Sequence, residues 1–353
     1  MHCILILCNN YVYWNNHFIN LIKLQFDWQA FNALAGIKVG VGLLIMLLLQ
    51  SLTGGSWLTT GLIAMFAWLT NTPGPIKARV GGMLSFAAAT AIMTVIFGQI
   101  GLEIWPNVIA ISSIAIVGTL ALALGMRAFM VGFSLICWAI YGPFMVATTS
   151  VENCLLAILV GTGVVAILNV AGENFSKNDQ EAEGTDAGEA ESPSCGPDMG
   201  YIVAYAISVA LVLALTTYYG WVELQTDPTM MAGGAFFVIG FDARKTWIAG
   251  VARVLGLIAG GLTGLFLASV LGSDIVLDAL MVIACALSFA AMAVHPGAWM
   301  YFFMVFVAIG WQGLDPEAFD LMVAERLYGE TAGVVAAMVA IMFLQWWQKR
   351  RET

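Results

Sequence analysis

Charge is what this sequence has least of. Only 10% of its 353 residues are charged, where a soluble domain carries about 25%. Histidine is scarcer still, at His2, His17 and His295. With so few, no Ser/His/Asp set, metal-ligand spacing or phosphate-binding loop is apparent, which argues against an enzyme and against a metal or other cofactor. Cysteine is sparse and unpatterned. Cys3 and Cys8 lie near the start, Cys195 in a polar stretch, and Cys137, Cys154 and Cys285 in apolar runs, with no C-x-x-C pair. The last three read as buried small hydrophobes. No basic stripe exists outside the flanks of the apolar runs, so nucleic acid is not an expected partner.

Apolar residues fill the space that charge leaves. They make up 61% of the chain, and the mean hydropathy is +0.90, which leaves no room for a large soluble domain. A helix needs about 20 mostly apolar residues to cross a hydrocarbon core of about 30 Å. Barrel strands would alternate apolar and polar residues. Here the runs are continuous and rich in Gly, Ala, Leu and Val, which predicts helices. They fall near 30–52, 57–70, 78–99, 104–124, 127–147, 151–171, 200–220, 229–241, 248–272, 275–294, 297–313 and 327–347. The expected fold is an all-α polytopic membrane protein with about twelve transmembrane helices. The defensible range is ten to twelve, because the second and eighth runs are short.

Polar punctuation divides the chain. The expected units are an N-terminal extension (1–28), a first transmembrane repeat (29–171), an acidic flexible linker (172–199), a second repeat (200–347) and a basic tail (348–353). MHCILILC is apolar but too short, and lacks the preceding basic residue of a secretory signal peptide. The linker holds eight acids from Glu173 to Asp198 against the single Lys177, and reads as solvated chain. Lys77, Arg79, Arg127, Lys177, Arg244, Lys245 and Arg253 fall at even-numbered connections, and Lys349, Arg350 and Arg351 at the end. Acids such as Glu103, Glu152, Glu223, Asp227, Asp274 and Asp315 fall at odd ones, where the only base is Arg326. Positive charge collects on the cytoplasmic side. Both termini and the linker are therefore expected in the cytoplasm.

The halves align with each other. ARVGGMLSFAAATAIMTVIFG matches ARVLGLIAGGLTGLFLASVLG, setting Arg79 against Arg253 and Gly82 against Gly256, with each arginine expected to open its helix at the cytoplasmic face. Glu152 and Glu325 each begin the last helix of a half. An even number of helices per half makes these parallel six-helix repeats, an arrangement frequent in secondary transporters. Gly256, Gly260 and Gly264 share one helical face, which lets a neighbour approach closely. Packing within the chain is favoured over a dimer interface, and a homo-oligomer stays open.

LTNTPGPIKARVGGM, RKTWIAGVARVLGLIAGGLTG and AERLYGETAGVVAA resemble segments of fusaric acid resistance-type proteins, in the aromatic acid exporter superfamily. The resemblance covers roughly residues 30–170 and 200–345. It implies a bacterial inner-membrane exporter of small aromatic or other weak organic acids, working in many cases beside a periplasmic adaptor (membrane fusion) protein. Larger relatives carry a sizeable domain between the halves, where this chain has about 28 residues.

Charged groups within apolar runs are the candidates for transport chemistry. Lys38, in AGIKVGVG, either holds a substrate carboxylate or snorkels to the headgroups. Arg79 and Arg253 either attract an organic anion or anchor the protein at the cytoplasmic face. Glu325, Arg326 and Glu330 cluster near the start of the last helix, with Arg326 and Glu330 spaced i,i+4 for pairing. They are the proton-coupling candidates, with structural pairing near the outer surface as the alternative. Asp242 and Asp278 are weaker carboxylates. The short second and eighth runs occupy matched positions, a pointer to a central site. Trp57, Phe66 and Trp68, with Phe236, Phe237 and Phe241, offer aromatic surface to an aromatic acid. Of these, Lys38, Arg79, Arg253, Trp57, Trp68 and Phe237 are the expected substrate-binding set. Two readings remain open: proton-coupled efflux, and an organic-anion channel or passive permease on the same scaffold.

Overall fold

A computed structural model describes residues 36–37, 39–45, 48, 57–70, 75–180, 199–224, 227–239, 243–271, 274–291, 295–312 and 319–352. Lys38 and Phe241 lie outside these residues, as do the first 35 positions and linker positions 181–198.

Among the described residues there are eleven α-helices, one 3-10 segment and no strand. They are α1 (Trp57–Leu69), α2 (Ile76–Ile100), α3 (Ile104–Leu120), α4 (Met126–Thr148), α5 (Val151–Gln180), α6 (Met199–Glu223), α7 (Met230–Phe236), α8 (Ala243–Val270), α9 (Asp274–Ala291), α10 (Pro296–Gln312) and α11 (Phe319–Glu352). Residues 39–45 are helical as well. The chain turns where the sequence is punctuated. Pro75, at φ −56°, stands at the N-cap of α2. Gly101, at φ +64°, closes that helix by donating its N–H to the Phe97 carbonyl, a left-handed stop that glycine adopts without steric cost.

Among the described residues, seven helices are long and apolar enough to cross a membrane: α2, α3 with its 3-10 continuation, α4, α6, and segments Val151–Val170 of α5, Trp247–Val270 of α8 and Leu321–Trp346 of α11. Shorter apolar stretches, Ala279–Ala291 and Gly297–Ile309, belong to α9 and α10. The outer surface is apolar too. Ile92, Trp105, Ile109, Val117, Leu159 and Phe266 stand exposed on these helices. Apolar side chains outside, with threonines and charged groups inside, fit a lipid surround. The chain is a multi-pass, all-α membrane protein.

Two boundaries differ from the sequence expectation in a way that matters. Helix α5 runs on to Gln180, into the segment read as linker, because no glycine or proline stops Glu173 to Gln180. Helix α8 begins at Ala243 rather than near 248, so Arg253 does not open it. Helix α11 spans 34 residues, about 51 Å at 1.5 Å per residue, and carries the basic tail as far as Glu352.

Glycine sets how the helices meet. Helix α8 lies along α10 through the predicted stripe: a Cβ on Gly256 would strike the Gly297 carbonyl, one on Gly260 the Tyr301 carbonyl, and one on Gly264 the Ala308 side chain. That face is used up inside the chain. The partners ascend in the same order on both helices, so α8 and α10 run parallel. Helices α8 and α11 run antiparallel, with Gly250 against Met338 and Gly261 facing Leu327. Gly161 of α5 presses on the backbone of α1, and Gly333 of α11 on that of α7. The two sets of helices meet where α3 packs on α6 and α4 on α7.

Gly260→Val should therefore separate α8 from α10 and destabilise the detergent-solubilised protein by about 1–3 kcal/mol. Gly163, whose Cβ would meet open space, should accept alanine without loss. Melting followed by fluorescence-detected size exclusion compares them. Equal melting points would sink the packing argument.

Candidate functional site: a buried arginine–glutamate–arginine centre

Three charges meet where the sequence scatters them over 77 positions. Arg253 of α8 donates from Nη2 to Glu330 Oε2 at 2.7 Å, and Arg326 of α11 donates from Nε to Glu330 Oε1 at 2.9 Å. Glu330 is 0% exposed, Arg253 3% and Arg326 4%. Depth along the helices agrees. Glu330 lies nine residues from Leu321 and sixteen from Trp346, about 14 and 24 Å from the ends of its span. Arg253 lies six residues from Trp247 and seventeen from Val270, about 9 and 26 Å from its ends. The centre lies within two of the segments long and apolar enough to span a membrane.

This corrects one expectation: Arg253 is a buried ion-pair member ten residues into α8, not an arginine at a helix start. The i,i+4 contact of Arg326 with Glu330 forms as the spacing predicts, deep in the fold and with a third partner from another helix. Helix geometry could place Arg326 on Glu330. Only the antiparallel packing of α8 on α11 could bring in Arg253.

Aromatic rings wall the two guanidiniums. Arg253 Cζ lies 5.0 Å from the Phe237 ring centre and 5.2 Å from that of Trp299, while Arg326 Cζ lies 5.4 Å from that of Phe303. Cation–π attraction strengthens when the cation is desolvated, to about 2 kcal/mol. The rings continue as a row from α4 across α7 to α10: Phe133 to Phe236 at 4.6 Å, Phe237 to Trp299 at 5.5 Å, and Trp299 to Phe303 at 6.1 Å.

Helix α7 holds this centre in place. All seven of its residues are buried. Gly234 packs directly on the backbone of Glu330, and Gly233 faces the hydroxyl of Tyr141 from α4. Tyr141 in turn stacks on Phe66 of α1, with ring centres 6.1 Å apart. The short eighth run is thus a plate between the two sets of helices. Side chains at Gly233 or Gly234 would close the gap on either face.

Asp227, just before α7, is also buried. Burial pushes its carboxyl above the ordinary range. The Thr229 hydroxyl and N–H, which donate to its Oδ1, and the nearby Arg326 charge pull the other way, while Glu330 adds to the rise.

The remaining candidates fall elsewhere. Arg79, partly exposed in the first turn of α2, donates from Nη2 to Asn169 Oδ1 of α5 at 3.0 Å. Trp68 is half-buried in α1 against the main core. Trp57 begins α1, and its side chain lies outside the described residues. Glu325 precedes Arg326 and is half-buried. Asp278 lies on α9, and Asp242 is outside the described residues. Sequence reasoning missed Trp299, Phe303 and Tyr141. The aromatic density of AWMYFFMVF was visible, but aromatics in membrane helices commonly face lipid. Among the described residues, no group of three or more His, Cys, Asp or Glu side chains could hold a metal ion. No protein-family model, curated protein or solved structure matches the chain.

Glu330→Ala leaves two buried guanidiniums without their carboxylate. It should cost about 3–5 kcal/mol, read as a large fall in melting temperature, with Glu330→Gln milder because its carbonyl still accepts. A melting temperature unchanged in Glu330→Ala would show that the triad contributes no stability. For Asp227 the sign is opposite to that of an ordinary paired acid. Its folded-state pKa is above the unfolded value of about 3.9, so its contribution to stability is greatest at low pH and is lost as pH rises through the folded pKa. Asp227→Asn keeps an acceptor for Thr229 and removes that loss. The melting temperature of wild type should fall relative to Asp227→Asn as pH rises. Parallel profiles would exclude this role.

Proposed function

We propose that this chain is a transporter for small aromatic or other weak organic acids, coupled to protons at the Arg253–Glu330–Arg326 centre. The carrying observation is that centre itself: two guanidiniums to one carboxylate, fully buried, walled by aromatic rings and set within two of the segments long and apolar enough to span a membrane. Ionisable groups at such depth are costly and mark substrate or proton paths. A buried guanidinium suits an anion, and ring faces suit a flat apolar body. Glu330 can exist ionised, clamping both arginines, or protonated, releasing them. A proton gradient can bias an element with two such arrangements.

The wider reading is a bacterial inner-membrane protein of about twelve spans in two parallel six-helix repeats, with both termini cytoplasmic. Recurrent packing supports it. Helix α2 contacts α4 and α5 while α3 contacts α4, and likewise α8 contacts α10 and α11 while α9 contacts α10. The pairing of α1 with α5 recurs as α7 with α11, each through a glycine of the later helix, Gly161 or Gly333. Membership of the fusaric acid resistance-type proteins, and work beside a periplasmic adaptor, belong to the same proposal and rest on the sequence resemblance. The buried Arg253 guanidinium, with Nε and Nη1 unpartnered, also suits the second reading, an organic-anion channel without coupling.

Purified protein in liposomes separates them. Labelled benzoate should move only when a pH gradient is imposed, and Glu330→Gln should abolish that dependence. Flux indifferent to the gradient would favour the channel. Transport unchanged in Glu330→Gln would remove this carboxylate from the mechanism.

A further inference from the structure

Arg253 uses only one corner of its guanidinium. Nη2 is committed to Glu330, while Nε and Nη1 are buried and have no partner. The indole Nε1 of Trp299 is likewise buried without a partner. A buried donor left unmade costs about 1–3 kcal/mol, and nearly all such groups in native proteins find an acceptor. Here three unpartnered donor atoms occur on two neighbouring side chains, with Arg253 Cζ 5.2 Å from the Trp299 ring centre. Phe237 stands on the same guanidinium and completes an apolar wall.

We infer that Nη1 of Arg253 and the Trp299 indole N–H form the seat of a monocarboxylate, distinct from the corner that holds Glu330. The inference rests on the transport reading and deepens it. Arg253 bridges the proton-carrying carboxylate and the bound anion, so the anion need not displace Glu330. Trp299 is then a recognition residue: its N–H contacts the ligand directly, and its ring carries the guanidinium. Among the described residues, the charged groups around the seat are Arg253 from α8 and Glu330 and Arg326 from α11, with Asp227 near Arg326 and Glu330. An ionised Glu330 repels a second carboxylate, so removing its charge favours the ligand.

Equilibrium binding of labelled benzoate to the detergent-purified protein tests this without transport. Trp299→Phe keeps a ring against Arg253 and removes only the N–H. It should bind benzoate roughly tenfold more weakly, the loss expected for one hydrogen bond to a charged group. Glu330→Gln, whose carbonyl still accepts from Nη2, should bind at least as tightly as wild type. Benzyl alcohol, of similar shape but uncharged, should not compete on the wild-type protein, a measurement that depends on no variant folding. Benzoate affinity unchanged in Trp299→Phe would overturn the proposal and leave these donors to internal water. Effective competition by benzyl alcohol, or no saturable benzoate binding to wild type, would overturn it as well. These outcomes are separable from the transport result. Coupling can fail while Trp299→Phe still weakens binding, and binding can be indifferent to Trp299 while flux follows the gradient.

Discussion

Taking a carboxylate out of water costs several kcal/mol, and Glu330 is fully buried. It is tolerable only because Arg253 and Arg326 each place a donor on one of its oxygens. The arginines have the converse need. Much of the second set of helices follows from holding these three groups together. Helix α8 must run antiparallel to α11 at the height where Arg253 meets Glu330. Helix α7 must be short and glycine-bearing, because Gly234 lies directly on the Glu330 backbone. Helix α10 must bring Trp299 and Phe303 over the guanidiniums. Replacing such a triad by apolar residues is often harmless to stability.

The two sets of helices handle their matched arginines differently. Arg79 is partly exposed in the first turn of α2, where it donates to Asn169. Arg253 lies ten residues into α8, buried, and pairs with a carboxylate. The first set contributes Tyr141, whose hydroxyl meets α7 opposite Glu330. That contact ties the charged centre to α4, and through Phe66 to α1.

Much of this fold was legible in the sequence, and the part that was not has a clear cause. Continuous apolar runs revealed the helices because a bilayer demands length and hydrophobicity, both of which are local. The glycine stripe at 256, 260 and 264 announced a close neighbour, and α10 is that neighbour. The Arg326–Glu330 pair could be read from helical spacing. The helix ends were harder to place. Polar residues such as those from Glu173 to Gln180 leave the bilayer without leaving the helix, and hydropathy does not register the difference.

The sequence by itself determined a helical membrane protein, its close-packing faces and an i,i+4 ion pair, since each depends on residues within a turn or two of one another. Tertiary structure alone decided that Arg253 joins that pair, that Phe237 and Trp299 sit on its guanidinium, and that two of its nitrogens are left open. Those contacts join α8, the turn after α7, α10 and α11. Their distances depend on how helices pack, which no spacing along the chain encodes.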